Sequence, residues 1–354
     1  MSKQQFREIR ELVTVPCATI NSAIIKSRLG CICRWLASLC VALSVSTIRA
    51  EQPPTAFPAA ATPPSSLYGQ LIERGIQLPS DLLVTVDPAI APDDFLAMGS
   101  EERRQQLETV AGKNGWDRFS RDSAVAPVRI ELEFIKNSAG ERVGHRIYSV
   151  FVAYAPLETL RDEQLMREIF GQASVDSGDE RPDSSLTADN PDATTTPASR
   201  NVPLAELKRL GISPPSEQER FAAIELPLLN RVTMRGTIQV QRNEGPGWVR
   251  LVWQIDPRFA DSTDFGNTWT KFERNEVGMP IETEPKPYAG CGGYLQIIQI
   301  DAELQQLLVE SRMVMYEPVD WFSGSNFLRS KLPTVLQENA RSFRRGLTRE
   351  HTEK

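Results

Sequence analysis

The stretch LPLLNRVTMRGTIQVQRNEGPGWVRLVWQIDPRF, residues 226–259, decides the fold class. Val232, Met234, Ile238 and Val240 alternate with Thr233, Arg235, Thr237 and Gln239. After the turn residues Asn243-Glu244-Gly245-Pro246-Gly247, the alternation resumes as Val249, Leu251, Trp253 and Ile255 against Arg250 and Gln254. A two-residue period broken by turn residues predicts an antiparallel hairpin with one dry face. Such a face has to be covered by another layer.

Outward from this hairpin, the same period recurs. Val128, Ile130, Leu132 and Phe134 alternate with Arg129, Glu131 and Glu133, the turn Asn137-Ser138-Ala139-Gly140 follows, and Arg142 to Tyr154 returns as a second strand. Further strands are expected at Gly293 to Ile300 and Leu308 to Tyr316. Helices are expected at Leu67 to Ile76, at Asp93 to Val110 with Ser100 as a cap, at Leu157 to Phe170 and around Leu204 to Leu210. The chain closes with an amphipathic helix from about Leu332 to Leu347, whose Leu332, Val335, Leu336, Ala340, Phe343 and Leu347 share one side. Arg341, Arg344, Arg345 and Arg349 read as its wet face. The expected architecture is α+β: a curved antiparallel sheet with the long C-terminal helix across it and N-terminal helical decorations outside.

The ends of the chain read differently from its middle. Residues 1–50 carry seven basic and two acidic residues, then an uncharged apolar run of 14 from Trp35 to Ile48, and Ala50 offers a small residue for cleavage. That is the layout of a signal peptide, too short to cross a bilayer, so export to a periplasmic or extracellular space is expected. An uncleaved anchor that tethers the chain to a membrane is the alternative. Residues 51–66 read as a Pro-rich linker, and residues 172–202 as a disordered acidic insertion within a single domain spanning 67–354. Without the leader, the 40 basic and 46 acidic residues of the chain fall to 33 and 44, a net charge of −11. A phosphate-binding surface needs clustered Lys and Arg, so nucleic acid is not an expected partner. Four of five cysteines lie in the leader, which leaves Cys291 without a partner for an internal disulfide.

Three segments carry a resemblance. Val150-Phe151-Val152-Ala153-Tyr154-Ala155-Pro156-Leu157 runs from a strand through a proline toward a helix. Residues 226–259 form a central hairpin ending in an Asp-Pro turn. GGYLQIIQIDAELQQLLVESRMVMYEP, then WFSGSNFLRSKLP and the final helix, close the chain. In this order the region 147–347 resembles the START-related, polyketide-cyclase-like helix-grip superfamily. The resemblance implies a curved sheet and a C-terminal helix enclosing an apolar cavity, with an apolar small molecule or lipid as partner, transient membrane contact if the guest is a lipid, and no cofactor. It also implies a lining drawn from Met234, Trp253, Trp269, Tyr294, Met313, Met315, Trp321 and Phe343. Thioethers adapt in shape and aromatics combine apolar area with a polar handle. Ordinary core packing is the competing reading of each of these residues.

Catalysis has few candidates. Only His145 and His351 are present, so a histidine-based triad would have to use His145, which reads as a packed residue with one hydrogen bond. Cys291 sits among glycines that permit close approach of a backbone, or simply a tight turn. Asp93-Asp94 and the acidic run 176–192 lack the spacing of a calcium loop, and no phosphate loop, dinucleotide fingerprint or Gly-x-Ser-x-Gly elbow occurs. The leading expectation is therefore an exported binding protein without chemistry. A cyclase- or hydrolase-like enzyme of the same fold, and an interaction protein working through its acidic insertion, are the alternatives.

Overall fold

The hairpin of residues 232–255 is the middle of the molecule. In the computed structural model, which describes residues 66–161, 199–229, 231–274, 280–322 and 326–353, the chain forms α1 (Leu67–Glu73), β1 (Ile76–Leu78), β2 (Leu82–Val84), α2 (Pro92–Ala97), α3 (Ser100–Ala111), α4 (Trp116–Phe119), β3 (Arg129–Lys136) and β4 (Arg142–Tyr154). Then follow β5 (Ser199–Asn201), α5 (Leu204–Arg209), β6 (Glu219–Leu228), β7 (Val232–Gly245), β8 (Trp248–Ile255), β9 (Thr268–Arg274), β10 (Pro280–Glu282), β11 (Lys286–Pro287), β12 (Cys291–Asp301), β13 (Gln306–Tyr316) and α6 (Phe327–Glu353). The architecture is α+β: a strongly curled, half-barrel antiparallel sheet with a C-terminal helix.

Local chemistry sets the turns. Pro246-Gly247 joins β7 to β8, and Gly247 has φ +79°, which suits glycine after a turn-initiating proline. Asn137 Oδ1 accepts from the N–H groups of Ala139 and Glu141 to fold the β3–β4 turn. At the end of β8, Asp256 accepts from the Arg258 N–H and from its guanidinium, while Asn267 Nδ2 donates to the Asp256 carbonyl and Asn267 Oδ1 accepts from the Thr237 N–H. The Asp-Pro turn is thereby tied back to β7.

Among the described residues the sheet has 11 strands, running β10-β9-β7-β8-β12-β13-β4-β3, with β11 also paired to β9, β6 along the other side of β7 and β5 beyond it. β7 is long enough to pair with β9 through Val232–Arg235 and with β8 through Ile238–Gly245. β4 and β13 pair in unbroken register from Gly144↔Tyr316 to Tyr154↔Gln306, so the two ends of the 142–316 region are neighbours.

Register divides the side chains into two faces. The inner face takes Ile147, Phe151, Ile224, Leu226, Met234, Ile238, Leu251, Trp253, Leu295, Ile297, Val309 and Met313, and packs with Leu328, Leu332, Leu336, Phe343 and Leu347 of α6 in one apolar cluster. Each such large side chain contributes about 2 kcal/mol by leaving water. α6 lies against β3 and β4. The outer face is also covered: α1, β1 and β2 pack on Val252, Tyr294 and Val314, and α2 to α4 pack on Val150, Val152, Ile298 and Leu308.

Several expectations are corrected. The helix expected over Asp93–Val110 is two helices, broken at Met98, which has extended geometry, and Gly99; Gly99, not Ser100, is the N-cap of α3, and Arg103 holds the break by donating to the carbonyls of Leu96 and Met98. Ile76, expected at the end of a helix, begins β1 beyond Gly75, which has φ +79°. β6 and β9 were not expected as strands. Residues 199–201, expected within a disordered insertion, pair with β6. Arg344, expected on the wet face of the last helix, is 6% exposed: its guanidinium donates to the carbonyls of Val152, Ala126 and Pro127 and lies over the Phe151 ring. The last helix begins one turn earlier than expected and carries Pro333 within it. The leader, the linker, most of the insertion and the larger part of the helix expected at 157–170 lie outside the described residues; residues Leu157–Arg161 form a 3-10 turn.

Candidate functional site

The inner face beneath α6 gathers seven of the eight residues expected to line a cavity: Met234, Trp253, Trp269, Met313, Met315, Trp321 and Phe343. Met234 faces Trp269 across β7 and β9; the Trp269 ring meets Trp321 edge-on at 6.1 Å; Trp321 stacks on Tyr288 at 5.6 Å; and Phe343 meets Phe151 edge-on at 5.7 Å. All seven are between 1% and 4% exposed, packed between sheet and helix.

Tyr294 is not among them. β12 turns Cys291, Leu295 and Ile297 inward, and the two-residue period therefore turns Tyr294 outward, where it meets Tyr68 edge-on at 5.5 Å and donates to the Asp87 carbonyl. Its neighbours Gly292 and Gly293 serve strand packing. A Cβ on Gly293 would stand 2.1 Å from the Arg312 carbonyl oxygen, and one on Gly292 would stand 2.8 Å from that of Trp253. The glycines around Cys291 thus admit neighbouring strands of the same sheet.

The end of the half-barrel nearest the start of α6 holds a buried polar cluster. Cys291 is the cross-strand partner of Met315, and Met315 that of His145, so three side chains from three adjacent strands stand in one row. His145, fully buried, places Nε2 2.5 Å from Glu317 Oε2, while Glu317 Oε1 takes Arg142 at 3.3 Å. A carboxylate only accepts, so Nε2 carries the hydrogen and donates. Nδ1 of the same ring is buried with no hydrogen-bond partner among the described residues, and so is Nε1 of Trp321. An unpaired buried polar atom costs about 1–3 kcal/mol. Phe134 lies beside the His145 ring at 5.3 Å and is covered by Arg329 of α6.

Cys291 is fully buried, and near it the Tyr288 hydroxyl donates to the Tyr316 carbonyl. Burial pushes the Cys291 thiol up to about 12. A thiol so far from ionisation is not a nucleophile at neutral pH. Burial pushes the Tyr288 hydroxyl well above its ordinary range too. The Cys291 and His145 sought by sequence as an isolated thiol and an isolated base share one end of the sheet, with Met315 between them.

A crevice on the outer face, lined by Asp87, Glu131, Arg146, Tyr148 and Arg312, is the other concavity of note. Its arginines are already engaged: Arg146 with Asp87 and the Thr85 carbonyl, Arg312 with Asp87 and Glu310. It fastens residues 85–90 to the sheet, where Gln296 donates to the Ile90 carbonyl and Glu310 accepts from its N–H.

No known family model matches the chain, and no curated protein matches it. Among the described residues no helix is long and apolar enough to cross a membrane.

Proposed function

We propose that this chain is an exported binding protein of the helix-grip kind, which holds an apolar small molecule or lipid between its curled sheet and α6 and performs no chemistry on it. The observation that carries this reading is the make-up of the inner face. Three methionines (Met234, Met313 and Met315) and a set of aromatics belong to its apolar cluster, with His145 at one end and Ser149 and Asn339 among its few buried polar side chains. Unbranched thioether side chains yield space to a guest more readily than branched ones. The packing of α6 against β4, which pairs with β13, supports the same reading.

In this reading α6 is the part that moves to admit the guest. Arg344 fastens its second half to three carbonyls. In its first half, Pro333 has no N–H to give to the Arg329 carbonyl four residues back, which weakens the ladder there. Entry therefore runs past the first turns of α6. The buried, un-ionised Cys291 thiol supports binding over catalysis.

Organic extraction and native mass spectrometry of the purified protein test the proposal. A retained apolar molecule, or saturable uptake of one from detergent or cyclodextrin, is the expected result. A protein that stays empty in every condition removes it.

A further inference from the structure

We propose that the guest carries a hydroxyl, and that His145 Nδ1 is the atom that receives it. The inference rests on the binding reading above and goes further by naming the chemical class and the anchor.

The His145 ring has one nitrogen used and one unused. Nε2 of His145 donates to Glu317, whose other oxygen is held by Arg142, and the ring is fully buried on the inner face. Nδ1 has no partner among the described residues. In a neutral ring, Nδ1 is a lone pair that needs a donor; in a charged ring, it is an N–H that needs an acceptor. A hydroxyl is both, so it answers either state. A carboxylate answers only the charged ring, and an alkane neither. The Trp321 indole at the same end of the sheet, whose Nε1 is likewise buried and unpartnered, adds a second donor that a hydroxyl oxygen can accept. Met315, between Cys291 and His145, is the flexible side chain whose rearrangement opens the way to Nδ1.

The test uses the full chain and three probes of equal length: dodecan-1-ol, dodecane and laurate. The chain holds only two histidines, His145 and His351, so ¹⁵N-histidine labelling gives an assignable pair of rings. Dodecan-1-ol is expected to bind about tenfold more tightly than dodecane, the difference set by one buried hydrogen bond. It should also move the Nδ1 resonance of His145, which dodecane leaves in place. The variants His145→Phe and Trp321→Phe should each reduce the preference for the alcohol while dodecane binding persists.

Equal binding of alcohol and alkane with an unmoved Nδ1 resonance overturns the hydroxyl inference and leaves the binding reading standing. A preference for laurate overturns it in favour of an acid. Failure of all three probes to bind removes both. If His145→Phe does not fold, the resonance of the unaltered protein decides.

Discussion

His145 Nε2 and Glu317 Oε2 stand 2.5 Å apart, although 172 residues separate them along the chain. The contact fastens the start of β4 to the end of β13, where Glu317 also donates its N–H to the Val143 carbonyl. Both side chains are buried, so breaking the pair strands a polar group. Glu317→Gln is expected to cost about 3 kcal/mol, because it leaves Arg142 and His145 without their carboxylate. Chemical denaturation measures it, and a loss under 1 kcal/mol would show that the pair contributes little.

Arg344 provides a second test of how α6 is held. Arg344→Met should lower stability by about 3 kcal/mol, since it leaves the carbonyls of Val152, Ala126 and Pro127 short of a donor. Its neighbour Arg345, with a side chain 55% exposed, should tolerate the same change within about 0.5 kcal/mol. Equal effects at the two positions would return Arg344 to the solvated face.

The Cys291 thiol supplies the pH dependence. Folding raises it from an ordinary value near 9 to about 12, so the thiol form is stabilised in the fold. The corresponding stability is complete below pH 9 and is lost as the pH rises through 12. At pH 8 the native protein should therefore resist a thiol-specific reagent, and denaturant should release full reactivity. Prompt labelling of the native protein at pH 8 would mean that Cys291 is reached without opening of the fold.

The two faces of the sheet separate stability from binding. Tyr294→Phe removes one hydrogen bond to the Asp87 carbonyl on the outer face and should cost about 1 kcal/mol with no change in uptake of an apolar probe. Met313→Ala, on the inner face, should cost about 2–4 kcal/mol and also alter uptake, since it leaves a void where the guest is proposed to sit. Thermal unfolding together with probe titration distinguishes them.

Which parts of this fold were legible follows from where each side chain's signal lies. The β7–β8 and β3–β4 hairpins announce themselves because one face of each is polar enough to mark the period. β6 does not, because Pro227 interrupts it and Phe221 on its other face is also buried. Tyr294 is not placed by its sequence because β12 is buried on both sides, and even its Gln296 is buried, so polarity along the strand does not mark the faces. Arg344 looked solvated because charge usually means water; its partners are backbone carbonyls, which carry no sequence signal. The row Cys291, Met315 and His145 is set by pairing of distant strands, and no spacing along the chain reports it.

An apolar guest is proposed to sit on the inner face, under α6. Quenching of tryptophan fluorescence by 1-bromododecane locates the guest directly, because Trp253, Trp269 and Trp321 are on the inner side whereas Trp116 and Trp248 pack on the outer one. Substituting Trp116 and Trp248 with Phe should leave the quenched emission in place, and substituting Trp269 and Trp321 should remove most of it. Quenching that disappears with Trp116 and Trp248 instead, or no quenching at any concentration, would contradict the account.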